Sequence, residues 1–185
     1  MLWILLIVGL AVLAFGIISA YNTLIALKNQ VMNAWKQIDV QLKRRHDLIP
    51  NLVNTVKGAM NFEKQTLEAV VAARNKAVSA TGVAATAKAE GELTQALGRL
   101  FALTEAYPDL KATGNIAQLQ EEITSTENKI GFARQLYNDT ATTYNTKQMQ
   151  FPTNLVAGLA RAVPAELWEI EDAAERAVPK VDLTM

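Results

Sequence analysis

The chain contains no cysteine. Disulfides, thiolate nucleophiles and zinc–thiolate sites are therefore excluded. There is a single histidine, His46. A di-iron bundle needs Glu-x-x-His pairs from two helices, and none occurs. Only 6% of the residues are aromatic, and just five are proline. Formal net charge is zero, which argues against a general nucleic-acid binder. No phosphate-binding P-loop and no dinucleotide fingerprint is present. Period-two alternation and solenoid-length repeats are missing as well. The scattered Gly82, Gly91 and Gly98 make no phosphate cradle. What remains is an alanine-, leucine- and glutamine-rich chain of 185 residues, half of them hydrophobic. That composition favours an all-α domain.

Charge is also absent from residues 1–27. Residues 2–20 are apolar except for Ser19. As a helix they span about 28 Å, the thickness of a hydrocarbon core. Trp3 and Tyr21 bracket the run as interfacial aromatics do. A basic n-region is lacking and the run is long, so it reads as a retained anchor rather than a cleaved signal peptide. Gly16 and Ala20 form a small-xxx-small pair of the kind that brings membrane helices together. Lys28 and Lys36 follow the run and no basic residue precedes it. The positive-inside rule then expects the C-terminal part in the cytoplasm. A long soluble domain also crosses membranes against such a bias, so the opposite side remains the competing expectation.

Beyond the anchor, apolar residues recur at helical spacing: Val31, Trp35, Ile38, Leu42, Ile49, Val53, Val56 and Met60. The pattern predicts one helix from residue 22 to about 79, kinked at Pro50. That proline removes a backbone donor and crowds the carbonyl of His46. A second helix is expected over 83–106, with a stripe of Leu93, Leu97, Leu100 and Leu103. A third is expected over 115–149, carrying Ile116, Leu119, Ile123, Ile130, Ala133, Leu136, Tyr137 and Tyr144. Thr153 or Asn154 is placed to cap a short fourth helix over 155–163. Short connections make an antiparallel up-and-down bundle the simplest packing, with a long first helix that continues the transmembrane helix. The expected organisation is an anchor with its juxtamembrane segment at 1–27, a helical bundle at 28–163 and an acidic tail at 164–185.

The densest polar segment is Lys43-Arg44-Arg45-His46-Asp47. With Asp39, Gln41, Pro50 and Asn51 it forms a polar motif inside an amphipathic helix. Asp39 and Lys43 have the favourable i,i+4 order, and Arg44 and Asp47 are three apart. An arginine fork buried against carboxylates of facing helices fixes register. Glu121, Glu122, Glu127 and Asp139 are the candidate acceptors. Structural pairing of this kind is the bland reading. The functional alternative is a docking site for a partner protein or anionic lipid on Lys43-Arg44-Arg45. His46, alone beside Pro50, is expected to satisfy local backbone or lie exposed. The two ends carry opposite charge. Residues 28–60 hold six basic residues against Asp39 and Asp47, whereas 151–185 hold six acidic residues against Arg161, Arg176 and Lys180.

The sequence resembles the LemA family of bacterial membrane proteins. The resemblance begins at Tyr21-Asn22 and runs through NAWKQIDVQLKRRHDLIPNLVNTVKG. It continues with Ala72-Ala73-Arg74, Tyr107-Pro108-Asp109, Glu127-Asn128-Lys129-Ile130, Tyr144-Asn145, Phe151-Pro152-Thr153-Asn154 and the closing Ala177-Val178-Pro179-Lys180-Val181. One departure lies between Gly158 and Trp168, where the family carries phenylalanines and this chain has Leu159-Ala160-Arg161-Ala162-Val163-Pro164. The resemblance implies a membrane helix followed by a helical bundle, and it brings no catalytic residues.

The expected function is accordingly non-enzymatic. It is that of a single-pass structural or scaffold protein that self-associates at the membrane. No catalytic, cofactor-binding or metal-binding residue is expected. The partners anticipated are membrane lipid, further copies of the chain and other membrane proteins, not nucleic acid. Alanine-rich faces such as Ala69, Ala72, Ala73 and Ala77 suit close helix packing, within one bundle or laterally between chains.

Overall fold

A computed structural model describes residues 1–59, 64–107 and 114–169. Among the described residues the fold is an all-helical bundle of four α-helices: α1 (Leu2–Ala59), α2 (Lys64–Ser79), α3 (Val83–Ala106) and α4 (Gly114–Met149). A short 3-10 turn, Thr153–Leu155, follows α4.

The first helix continues the apolar run as expected and departs from expectation at its C-terminal end. It begins within the apolar run and continues without a break through Pro50 to Ala59. The predicted helix to Ser79 is two helices, because α2 returns alongside α1. Arg74 in α2 bonds to His46 in α1. Twenty-eight residues of straight helix would hold those two about 42 Å apart. The predicted stripe residue Met60 lies outside the described residues, as do Pro108 and Asp109 and the tail beyond Glu169.

The chain divides into two compact units. One consists of Leu42–Asn128 with Trp168–Met185. Its core joins Ile49, Leu52 and Val56 of α1, Leu67 and Val70 of α2, Leu93, Leu97 and Leu100 of α3, and Ile116 and Ile123 of α4. Full burial of each such side chain is worth about 1.5–3 kcal/mol. The α2–α3 link needs Gly82, whose φ of 85° is left-handed and disfavours a side chain. Its carbonyl accepts the first α3 bond, from the Thr86 amide at 3.1 Å. Lys76 and Glu92 pair across the exposed side of α2 and α3 at 2.6 Å.

The other unit consists of Met1–Gln41 with Lys129–Leu167. Ala20, Leu24, Val31, Ala34 and Ile38 of α1 and Ile130, Ala133, Tyr137, Ala141 and Tyr144 of α4 are its buried hydrophobic residues on the two helices. Alanine at four of these positions lets the helices approach closely. Trp35 meets Tyr137 edge-to-face, with ring centroids 5.5 Å apart.

The predicted fourth helix does not form. Residues 156–161 make a single closed turn instead. The Ala162 amide reaches the Ala157 carbonyl and the Arg161 amide reaches that of Gly158. This is a Schellman closure, with Arg161 in the left-handed position at φ 47°. The chain then runs extended back along α4. Asn145 grips both sides of the Ala165 residue, donating to its carbonyl at 2.8 Å and accepting from its amide at 2.7 Å. The Tyr137 hydroxyl donates to the Glu166 carbonyl at 2.7 Å. Burial, then the charge of Glu166, pushes the Tyr137 phenol above its ordinary pKa.

Candidate functional site

The polar motif separates around the α1 circumference. Consecutive helical residues point about 100° apart. Leu42, Arg45 and Ile49 share the inward line, and all three are buried. Asp39, Lys43, Arg44, Asp47, Pro50 and Asn51 are exposed. The expected Asp39–Lys43 and Arg44–Asp47 ion pairs do not form among the described residues. Gln41 is half-buried, and its side-chain oxygen has no hydrogen-bond partner among them.

Arg45 is 1% exposed and sits where the four helices of its unit meet. Its two terminal nitrogens bond to Glu90 of α3 and Glu127 of α4. Nη1 also donates to Thr94 Oγ1 at 3.1 Å. Glu90 is nearly fully buried and uses both oxygens, one for Arg45 and one for His46 Nε2 at 2.7 Å. His46 is therefore a buried partner of Glu90, not the exposed or backbone-bound histidine expected. Its main-chain carbonyl accepts from Arg74 Nε of α2 at 2.9 Å. Each helix of the unit thus supplies at least one member: Arg45 and His46, Arg74, Glu90 with Thr94, and Glu127.

Burial pushes the Glu90 carboxyl up. The His46 hydrogen bond and the charge and hydrogen bond of Arg45 outweigh it, so the carboxyl titrates below its ordinary value. An arginine that bridges carboxylates on two other helices is a clamp on helix register, since removing it strands the buried Glu90 carboxylate in the interior. Of the expected acceptors, Glu127 is the one that reaches Arg45. Glu121 and Asp139 are exposed and Glu122 is half-buried. No trio of His, Asp or Glu side chains is placed to hold a metal among the described residues.

Glu90, Thr94 and Arg74 were missed by sequence reasoning. Glu90 carried a readable signal: it lies three residues before Leu93, on the line of the α3 stripe.

The LemA family model matches residues 34–183. The chain belongs to the LemA family. Protein LemA of Metamycoplasma hominis is 31% identical over 82% of this chain and 69% of its own length. More distant similarity reaches magnetosome protein MamQ 2 of Paramagnetospirillum magneticum, 24% identical over 90% of this chain and 71% of that protein. Magnetosome protein MamQ of Magnetospirillum gryphiswaldense is 23% identical over 74% of this chain and 60% of that protein. The stretch matched by the family model includes Arg45, His46, Arg74, Glu90 and Glu127, so the clamp lies within the family domain.

Proposed function

We propose that this LemA-family protein is a non-enzymatic, single-pass structural element that self-associates at the bacterial membrane, with its bundle on the cytoplasmic side. The observation that carries the reading is α1. Residues 1–19 are all exposed and, but for Ser19, apolar, and the same unbroken helix enters the packed bundle. Such a helix is long and apolar enough to cross a bilayer. It ties the packed bundle to the membrane without a flexible linker. Confinement to a plane raises the effective concentration of neighbouring copies, which favours lateral assembly. The clamp supports a structural role, because its charged groups are turned on one another.

Mass measurement of the full-length protein in detergent across a concentration range tests assembly. An oligomer is expected; a strict monomer at every concentration sinks the proposal. Protease treatment of spheroplasts tests the side. The bundle should survive, and its rapid loss would place it outside.

A second reading assigns partner or anionic-lipid docking to the basic block. Arg45 faces inward, so this reading rests on Lys43 and Arg44, both exposed. A Lys43→Ala, Arg44→Ala protein should then lose binding to phosphatidylglycerol vesicles or to its partner while keeping its helicity. Unchanged binding removes this reading.

A further inference from the structure

In the unit that contains the N-terminal part of α1, a group of large apolar side chains faces outward. Met149, Phe151, Leu155, Leu159 and Val163 are 67–79% exposed. They lie in and around residues 148–160, which contain no charge and are flanked by Lys147 and Arg161.

Their level along the unit follows from helix geometry. Val40 and Gln41 of α1 share a groove with Lys129 and Phe132 of α4, whereas Trp35 meets Tyr137. The two helices are therefore antiparallel here. From the ring pair, Met149 lies about 18 Å along α4, and Tyr21 about 21 Å along α1 in the same direction. The outward apolar group thus stands beside the place where α1 changes character. Residues 1–19 are exposed, while Ala20 and Leu24 are buried. Thr153, Val156 and Ala160, buried between the outward-facing residues, belong to the same level.

We propose that this surface is a second membrane contact: a ledge seated in the interfacial zone of the leaflet from which α1 emerges. Its occupant is lipid. Continuity with the apolar helix is the first argument, since both surfaces meet the same plane. Charge is the second. The charge-free part of α1 ends at Lys28, and the charge-free stretch of the ledge ends at Lys147 and Arg161. Every first charge met on leaving the apolar zone is basic, which matches phosphate headgroups. Interfacial elements of this kind bury an apolar face about 5–10 Å into the headgroup–acyl boundary. Two contacts rather than one would fix the tilt and rotation of the bundle over the bilayer.

This inference rests on the anchor proposed above, and the test separates the two. The natural chain has no cysteine, so single-cysteine variants of the full chain can be labelled cleanly with an environment-sensitive dye. The variants are Leu155→Cys, Leu159→Cys, Val8→Cys and Phe132→Cys, reconstituted in phosphatidylcholine–phosphatidylglycerol vesicles. Lipids with a nitroxide near the headgroup should lower emission at positions 155 and 159 about twofold. Lipids with a deep nitroxide should quench position 8, and position 132 should respond to neither. If position 8 is unquenched, the anchor fails and the ledge falls with it. If position 8 is quenched but 155 and 159 respond only to aqueous iodide, the ledge alone is overturned. Shielding of 155 and 159 from iodide and nitroxide alike would mean that protein, such as a second copy, covers the surface. That result also overturns the proposal.

Discussion

Arg74 Nε donates to the main-chain oxygen of His46 at 2.9 Å, supplying the bond that Pro50 withholds. In an unbroken helix that oxygen would accept the amide of the residue four positions on, and proline has none. A side chain from α2 takes its place, and the helix continues to Ala59. Arg74 thereby relieves the proline and ties α2 to α1 beside the clamp.

The pair should be coupled. Arg74→Ala leaves a carbonyl without its partner and is expected to destabilise by about 1–3 kcal/mol. In a Pro50→Ala background, the alanine amide can close the ordinary helical bond. The same Arg74→Ala change should then cost distinctly less. A double-mutant cycle by chemical denaturation in detergent measures the difference. Strict additivity would mean that Arg74 does not act through the carbonyl that Pro50 frees.

Neighbouring arginines should behave oppositely. Arg45→Ala strands the buried Glu90 carboxylate and should destabilise by about 3–5 kcal/mol. Arg44→Ala removes an exposed side chain and should stay within about 0.5 kcal/mol of the natural protein. Arg45→Lys should recover little, since one ammonium cannot reproduce the guanidinium fork toward Glu90 and Glu127. Equal effects at 44 and 45 would refute the division of the block into an inner and an outer arginine.

Much of this was written in the apolar spacing. The stripes of α1, α3 and α4 give the helices; those of α1 and α4 are interrupted where the clamp lies, and that of α3 begins just after it. Arg45 falls between Leu42 and Ile49, Glu90 one turn before Leu93, and Glu127 between Ile123 and Ile130. Treating Lys43-Arg44-Arg45 as one block hid this, because it ignored the 100° step between neighbours. The break between α1 and α2 was illegible for a different reason. A stripe that keeps its phase through a reversal looks the same as one that continues straight. The fourth helix rested on a capping residue at Thr153 or Asn154, and a single closed turn that buries Val156 and Ala160 follows such a residue equally well.

Acid should weaken the clamp. The Glu90 carboxyl titrates below its ordinary value in the folded protein, through the His46 and Arg45 contacts that outweigh burial. A depressed carboxylate pKa stabilises the fold above the unfolded value, near 4.5. That contribution is lost as pH falls through the folded value. Denaturation midpoints should therefore drop below about pH 4.5 more steeply in the natural protein than in Glu90→Gln, which cannot titrate there. Parallel pH profiles would show that Glu90 is not held by its cationic neighbours.

Arg161 offers the simplest route to a more stable protein. It occupies the left-handed position of the turn that closes residues 156–161, at φ 47°. A side chain there crowds the following carbonyl, a penalty of about 1–2 kcal/mol for an L-residue. Glycine avoids the clash but gains freedom in the unfolded chain, which returns part of the benefit. Arg161→Gly should thus stabilise by about 0.5–1 kcal/mol. Arg161→Val should destabilise, since branching at Cβ worsens the crowding and the charge is lost in both variants. Thermal melting of the two full-length variants in the same detergent isolates the backbone effect. A glycine variant no more stable than the valine variant would mean that the turn does not hold position 161 in the left-handed conformation.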